Sequence, residues 1–180
     1  MPWRNGGGST LELAVEPPGA TLDTGFRWRI SSAEVGVSGP FSAFPGLDRW
    51  LLLLEGAGFT LDFPGRGQVE MTEALVPLRF AGDWPAAATL VGGPCTDFNL
   101  MVDPRACRAR LEVLRLRAAG VLDLGAATTL VFVARGTVSV PDGGLQLGYR
   151  HLLRIEGPGP LSLVPGLAGA TLVRVDLDPA

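Results

Sequence analysis

The sequence predicts an all-β fold, either a sandwich or a barrel. Apolar and polar residues alternate over short segments along most of the 180 residues, as they do in half-buried strands. The chain also has 25 glycines and 15 prolines, spread between those segments rather than gathered in one tract. Both residue types interrupt strands and form turns, so their spacing indicates many short strands joined by tight connections.

The first two strands are predicted at residues 11–15 and 26–31. The second strand has two arginines on one face and three large apolar residues on the other, because successive side chains point to opposite sides of a strand. The arginine face is solvated in an ordinary sheet. If it lines a barrel instead, Arg29 becomes a candidate clamp for a carboxylate.

The segment at residues 39–63 is the most informative one. A turn-rich run carries Phe41 and Phe44 between two prolines, and a short apolar run and an alternating run follow, separated by Glu-Gly-Ala-Gly. This order predicts a strand, a glycine turn and a second strand, with Asp48 and Arg49 where the loop meets the sheet. An aromatic, proline-fixed loop beside a sheet edge would form one wall of a small-molecule pocket.

The remaining chain continues the pattern of short strands. A loose repeat, LLLLEGAGFTL at 51–61 and LLRIEGPGPLSL at 152–163, suggests two related halves. One short helical turn is predicted from Asp103 to Arg110, since Pro104 suits the first position of a helix. Further strands are predicted at residues 69–71, 87–91, 97–101, 111–117, 129–134, 138–140, 145–149, 152–155, 161–164 and 171–177.

Charge and composition exclude several classes of function. The net charge is −3 and the arginines are dispersed, so we expect neither a nucleic-acid nor a membrane partner. Neither a membrane span nor a signal-peptide core is visible, which favours a cytoplasmic location. Two cysteines in such a chain are expected to be reduced thiols. The chain has no lysine, so Schiff-base chemistry by a lysine side chain is excluded.

A mixed set of side chains is predicted to form a binding pocket. Aromatic walls, amide groups, one hydroxyl and an arginine together suit a small, planar, anionic metabolite held by a guanidinium at its carboxylate. The two asparagines of the chain lie in unusual stretches, where they either form hydrogen bonds with a ligand or cap turns. The predicted ligand-binding residues are Trp3, Asn5, Arg29, Phe41, Ser42, Phe44, Arg49, Asp97, Phe98 and Asn99.

Common catalytic and metal-binding patterns are missing. His151 is the single histidine, so a site with two or three histidine ligands cannot be built from one chain, and we expect no metal and no cofactor. A GxSxG nucleophile motif is also absent. Acid and base catalysis by Asp97, Asp83 or His151 stays open as the alternative, beside the simpler interpretation that the aspartates anchor loops.

Five ordered segments resemble the HutD/Ves family: MPWRNGGGST at 1–10, WRISSAEV at 28–35, GPFSAFPGLDRWLLLLEG at 39–56, FAGDWP at 80–85 and GPCTDFNLM at 93–101. Arg4 departs from the lysine that is usual in the family's opening motif. The resemblance implies a cupin fold, specifically a bicupin with two β-barrel lobes, here residues 1–105 and 106–180. It also implies a role in regulating histidine utilisation rather than a catalytic activity.

The combined hypothesis is a non-enzymatic bicupin that binds a small carboxylate of the type of urocanate or formylated or formimino glutamate. The alternative is a metal-independent cupin isomerase or hydrolase that acts on a small carboxylate. The sequence leaves the oligomeric state open, a homodimer included.

Overall fold

The computed structural model describes residues 7–180, whose regular structure is almost entirely β. Fifteen strands are present, and a short 3-10 helix at Pro141–Gly143 is the one helical element in that range. The all-β prediction is confirmed. No helix among the described residues has the length and apolar character that a membrane crossing requires. The chain divides into two compact units, Met1–Cys107 and Arg108–Ala180. The assignment of each unit to a separate cupin lobe, with a boundary at 105/106, stays a prediction.

The first unit contains a five-stranded sheet in the order β1-β2-β9-β4-β7 and a four-stranded sheet in the order β3-β8-β5-β6. The pairings β1–β2, β2–β9, β4–β9 and β4–β7 of the larger sheet are all antiparallel. In chain order the strands are β1 Gly8–Glu16, β2 Trp28–Val35, β3 Gly39–Phe41, β4 Asp48–Glu55, β5 Phe59–Phe63, β6 Gly67–Met71, β7 Leu78–Ala81, β8 Ala86–Leu90 and β9 Cys95–Val102.

Burial explains why the apolar run at residues 50–54 does not alternate. Strand β4 lies between β9 and β7, and every residue from Arg49 to Leu54 is buried, so both faces of the strand are covered. Strands β2 and β9 are buried over most of their length in the same way. Strand β5, in the smaller sheet, instead shows strict alternation of buried and partly exposed residues.

One apolar core joins the two sheets of the first unit. Leu51 and Leu53 of the larger sheet pack in the same cluster as Phe59, Leu61 and Phe63 of the smaller one. Aromatic rings are stacked edge to face within it: the centroids of Phe63 and Trp84 lie 5.6 Å apart at an interplanar angle of 80°. The face of β4 that carries Leu51 and Leu53 is therefore the interior face of this unit.

The two predicted strands around Glu-Gly-Ala-Gly are present, but they do not pair with each other. β4 belongs to the five-stranded sheet and β5 to the four-stranded sheet. Gly58 has a φ of +87°, and a Cβ at that position would lie 2.0 Å from the carbonyl oxygen of Met71. Only glycine can take this conformation at so close an approach. The motif therefore connects a strand of one sheet to a strand of the other and does not form a hairpin.

The second unit is built around two long strands. A sheet in the order β10-β15-β12-β13 is extended by β11, which pairs with β15, and by β14, which pairs with β12. Its core contains Val131, Val133 and Leu172 among other fully buried side chains. The strands are β10 Cys107–Leu116, β11 Gly120–Leu124, β12 Thr128–Val140, β13 Leu145–Leu147, β14 Leu152–Glu156 and β15 Gly159–Pro179.

The predicted helical turn between Asp103 and Arg110 is wrong. The Asp103 carbonyl accepts hydrogen bonds from the backbone N–H groups of Ala106 and Cys107, at 3.0 Å each, and β10 begins at Cys107. The Asp103 side chain also accepts from the Arg105 backbone N–H at 3.0 Å. The segment therefore forms a single aspartate-capped turn between two strands, which the sequence signal Asp-Pro fits equally well.

Candidate functional site

The candidate site lies on the interior face of the first unit, where β4 and β9 run side by side. Cross-strand register places Arg49 opposite Met101, Leu51 opposite Asn99 and Leu53 opposite Asp97. Because alternate residues of a strand share a face, Arg49, Asp97 and Asn99 project to the same side as the apolar core residues Leu51 and Leu53. Polar groups in such a position are expected to need partners.

Arg49 is held in a cage of aromatic rings. Its side chain is almost fully buried, with 3% of the residue exposed. The guanidinium carbon lies 4.8 Å from the ring centre of Phe44, 5.0 Å from that of Phe80 and 5.9 Å from that of Phe41. Rings at these distances attract a cation through their negative faces. The cage therefore stabilises the buried charge without neutralising it.

The Arg49 guanidinium retains unused hydrogen-bonding capacity. Its Nη1 donates to the carbonyl oxygen of Ser42 at 3.1 Å, whereas Nε has no partner among residues 7–180. Burial lowers the pKa of Arg49 to about 10, and the nearby Asp97 carboxylate opposes that shift. The side chain is still a cation at neutral pH and can receive an anionic ligand.

Asp97 is buried in the same face with only 2% of its surface exposed. Burial raises the pKa of its carboxyl to about 7, and Arg49 and a hydrogen bond from the Ala33 backbone work in the opposite direction. Its Oδ1 atom has no partner within the described part of the chain. Near neutral pH the carboxyl is therefore close to half-protonated and free to accept or donate one further hydrogen bond.

Asn99 completes the group of unpaired polar atoms. It is 8% exposed, and its Oδ1 has no hydrogen-bond partner in residues 7–180. On its other side, β2 places the buried Ser31 directly opposite it. An unpaired buried polar atom costs about 1–3 kcal/mol, so three of them on one face make this face the candidate binding site.

A short loop positions the rings over Arg49. Phe44 donates its backbone N–H to Gly82 at 2.8 Å, and Gly82 donates to Leu47 at 2.7 Å. Gly82 approaches so closely that a Cβ there would lie 2.3 Å from the Phe44 carbonyl oxygen. Both carboxylate oxygens of Asp83 accept from the Gly46 N–H at 3.2 Å. The motif at residues 80–85 thus anchors the aromatic loop of residues 42–47.

The structure brings together some of the predicted site residues and not others. Phe41, Phe44, Arg49, Asp97 and Asn99 surround or share the interior face, and Ser42 contributes its carbonyl oxygen.

Phe98 and Arg29 are not part of this unpaired polar group. Phe98 is fully buried and points to the opposite face of β9 from Asp97 and Asn99, as alternation requires. Arg29 is on the interior face of β2, but its Nε forms an ion pair with Glu12 at 2.7 Å. Trp3 and Asn5 lie outside the described residues.

The two other residues considered as acids or bases have local structural contacts. Asp83 is exposed and anchors the loop described above. His151, in the second unit, is also exposed, and its Nδ1 accepts a hydrogen bond from the Gly148 N–H at 3.2 Å. These contacts are those of loop-anchoring residues. Of the three candidates, Asp97 is therefore the one best placed to act as an acid or a base.

Two contributors were missed from the sequence. Phe80 forms part of the cage, and Ser31 faces Asn99 across the strands. The FAGDWP segment was a signal for Phe80, because it predicts a tight turn next to an aromatic residue. The alternation of β2 already places Ser31 on the face of Arg29, but Ser31 was not counted among the binding residues.

The far end of the same sheet carries a separate open pocket of about 430 Å³. Glu34 and Glu55 line it together with Ser9, whose hydroxyl lies 3.4 Å from the Glu34 carboxylate. Across residues 7–180, no group of three or more histidine, cysteine, aspartate or glutamate side chains is arranged to hold a metal ion. Glu55, at the place where a cupin's metal-binding glutamate would be sought, therefore has no such ligand set around it.

The fold belongs to the cupin class. Salicylate 1,2-dioxygenase from Pseudoaminobacter salicylatoxidans superposes with a TM-score of 0.67 over 98% of this chain and 76% of its own, at 11% sequence identity. Such low identity relates the folds alone. An all-β cupin-type protein with a caged arginine in its interior face is thus the general description that the structure supports.

The chain belongs to the HutD family, whose model matches residues 1–172. A Pseudomonas putida protein described as an uncharacterized 21.2 kDa protein in the hutC 3' region is 37% identical over 87% of this chain and 82% of its own. Protein Ves from Citrobacter koseri is 37% identical over 86% and 74% of the two chains. The structure of HutD from Pseudomonas fluorescens SBW25 gives a TM-score of 0.85 at 34% identity, over 100% of this chain and 93% of that one.

Proposed function

We propose that this chain is a non-enzymatic, metal-free bicupin that binds a small carboxylate metabolite and regulates histidine utilisation by sensing it. The ligand class is a histidine-pathway carboxylate such as urocanate or formylated or formimino glutamate. Family membership and the position of the P. putida relative in a hutC region support the link to histidine utilisation.

The observation that carries the proposal is the set of three unpaired atoms on one buried face. Arg49 Nε is a donor, and Asp97 Oδ1 and Asn99 Oδ1 are acceptors when the aspartate is ionised. A fitting ligand supplies at least one acceptor, which a carboxylate does, and one or two donors, which an N–H group does. Urocanate and the substituted glutamates contain both kinds of group, and the rings around Arg49 favour a planar portion.

The test is ligand-dependent stabilisation of the full chain. A ligand present at about 100 times its Kd stabilises the native state by roughly 2.7 kcal/mol, so thermal unfolding and calorimetric titration detect it readily. The panel contains urocanate, formylglutamate, formiminoglutamate, histidine and glutamate. Stabilisation by at least one of the first three, and not by histidine, is expected. A panel with no effect on stability and no heat of binding would count against the proposal.

Variants then connect the binding to the site. Arg49→Lys keeps the charge but loses the Nε donor and the planar guanidinium, so affinity should fall tenfold or more. Asn99→Ala should weaken binding similarly, because it removes an acceptor. Arg105→Lys is the matched control, since Arg105 is an exposed arginine of the same unit, paired with Asp103 at 2.9 Å. Equal affinities for the Arg49 and Arg105 variants would place the ligand elsewhere.

A second candidate function is a metal-independent isomerase or hydrolase acting on a small carboxylate. The pKa of about 7 for Asp97 favours it, because a general acid or base works best with a pKa near the operating pH. NMR of the same panel incubated with the protein detects isomers as well as hydrolysis products. Turnover that disappears in Asp97→Asn would establish the enzyme, whereas binding without turnover at pH 7 supports the sensor.

A further inference from the structure

A groove in the second unit is lined by positively charged side chains that are not part of the proposed carboxylate site. It has a volume of about 650 Å³, within the range of small-molecule sites, which is about 300–1,000 Å³. Arg115, Arg117 and Arg135 line it, and its remaining lining is Leu116, Gly136 and residues 167–171. Within the described part of the chain, no aspartate or glutamate lines this groove.

The three arginines converge because of strand order. β15 lies between β10 and β12, and Arg135 on β12 is in register with Thr171 on β15. Arg115 comes from β10 on the other side, and Arg117 follows directly after Leu116, the last residue of that strand. Neighbouring strands are about 4.8 Å apart, so β10 and β12 are separated by roughly 10 Å. One ligand lying along β15 can therefore reach guanidinium groups on both sides.

The floor of the groove is small and closely packed. Gly136 has a φ of +74°, and a Cβ there would lie 2.2 Å from the Gly169 carbonyl oxygen. Gly169, with a φ of +81°, approaches the Leu116 carbonyl oxygen, which would be 2.9 Å from an added Cβ. The backbones of the three strands thus touch at the floor. A side chain at either position would collide with the neighbouring backbone, so glycine is what permits this close packing.

The charge in the groove is not neutralised. Five arginines elsewhere in residues 7–180, namely Arg29, Arg79, Arg105, Arg154 and Arg174, form ion pairs with nearby carboxylates. The side chains of Arg115, Arg117 and Arg135 make no ion pair and no hydrogen bond with any of the described residues, and each residue is exposed. The chain as a whole has a net charge of −3, so these three charges form a locally positive region on a negatively charged protein.

From this arrangement we propose that the groove binds a small molecule through an oligophosphate group. Guanidinium groups bind phosphate oxygens in a bidentate manner, and a diphosphate carries a charge close to that of three arginines. The fully exposed Leu167 and the neighbouring Ala168 provide an apolar end, which suits the organic part of a phosphorylated compound such as a nucleoside diphosphate.

The experiment is calorimetric titration of the full chain at low ionic strength with pyrophosphate, adenosine diphosphate, citrate and adenosine. We expect pyrophosphate and adenosine diphosphate to bind with stoichiometry near one, and affinity to fall as salt is raised. Adenosine should not bind. Stronger binding of adenosine diphosphate identifies a nucleotide source, and equal binding identifies the free diphosphate. Citrate, a tricarboxylate of similar charge, should bind at least tenfold more weakly, and equal binding of citrate would overturn the phosphate assignment.

Variants locate the site and separate it from the carboxylate site. Arg115→Gln and Arg135→Gln should each reduce diphosphate affinity about tenfold, as loss of a charged hydrogen bond does. Arg154→Gln, with the same charge change in the same unit, is the control, and Arg49→Lys should leave diphosphate binding unchanged. Absence of diphosphate binding at low salt, or equal affinity in the groove variants and the Arg154 control, overturns the proposal. Neither result bears on carboxylate binding at Arg49.

Discussion

Asp97 should make the stability of the protein depend on pH in a way that one substitution removes. Burial raises the pKa of this carboxyl from 3.8 to about 7 in the native state. Between those two values the native state binds more protons than the unfolded chain does. The free energy of unfolding therefore falls as the pH rises through this window, and it stays at the lower value above it.

The size of the effect follows from the interval between the two pKa values. From pH 5 to pH 8, this one carboxyl should lower the free energy of unfolding by about 3 kcal/mol. Asp97→Asn has nearly the same shape and cannot ionise. We expect it to match the wild type at pH 5, where Asp97 is mostly protonated, and to exceed it by about 3 kcal/mol at pH 8. In the wild type, the pKa of Arg49 is about 10, so its charge persists across this range.

Urea unfolding at pH 5, 6, 7 and 8, followed by circular dichroism, measures the difference. Asp62→Asn is the control, because Asp62 is a partly exposed carboxylate on β5 of the same unit. The control should keep the pH slope of the wild type, and Asp97→Asn should flatten it. Parallel pH profiles for wild type and Asp97→Asn would refute the conclusion that Asp97 is buried with a raised pKa.

Three further predictions concern the cage, its loop and the thiols. Phe44→Leu should lower stability by about 1 kcal/mol in urea unfolding, because it removes a ring 4.8 Å from the Arg49 guanidinium, whereas Phe44→Tyr should keep most of that contribution. Gly82→Ala should cost about 1–3 kcal/mol, since its Cβ would meet the Phe44 carbonyl oxygen at 2.3 Å, whereas Gly39→Ala, with open space around it, should cost much less; equal losses would contradict the loop's role. Burial, aided by Asp97, raises the pKa of Cys95 to about 11. This thiol should therefore react with an aromatic disulfide reagent only after unfolding. Fast labelling of Cys95 in the native protein at pH 8 would contradict this expectation.

The strands were predictable from the sequence to a large extent, because their signal is local. Alternation and glycine punctuation located β5, β9 and β14 to within a few residues. β3, β7 and β11 were missed, since each is short and lies beside Gly or Pro, which are typical of turns. The predicted strands 161–164 and 171–177 are one strand, β15, because the intervening glycines bend it without ending it.

Many residues of the candidate site were predictable from the sequence, but their contacts with one another were not. Arg49, Phe44 and Asn99 were marked by residue type and by their neighbours in the chain. That Arg49 is enclosed by rings and Arg29 is neutralised by Glu12 depends on cross-strand register, which no single segment encodes. Phe98 was grouped with its neighbours although alternation already turned it to the other face. Side-chain direction was thus a stronger guide than proximity in sequence.

The central place of β9 in the five-stranded sheet has a consequence for biosynthesis. β2 and β4 emerge from the ribosome long before Cys95–Val102, yet each hydrogen-bonds to that later strand and not to the other. Until translation passes residue 102, both nascent segments have an unsatisfied edge rich in apolar side chains. Non-local pairing of this kind is slow and prone to association between chains. Chain release before that point should yield insoluble fragments, and the order of synthesis gives chaperones a defined interval in which to act.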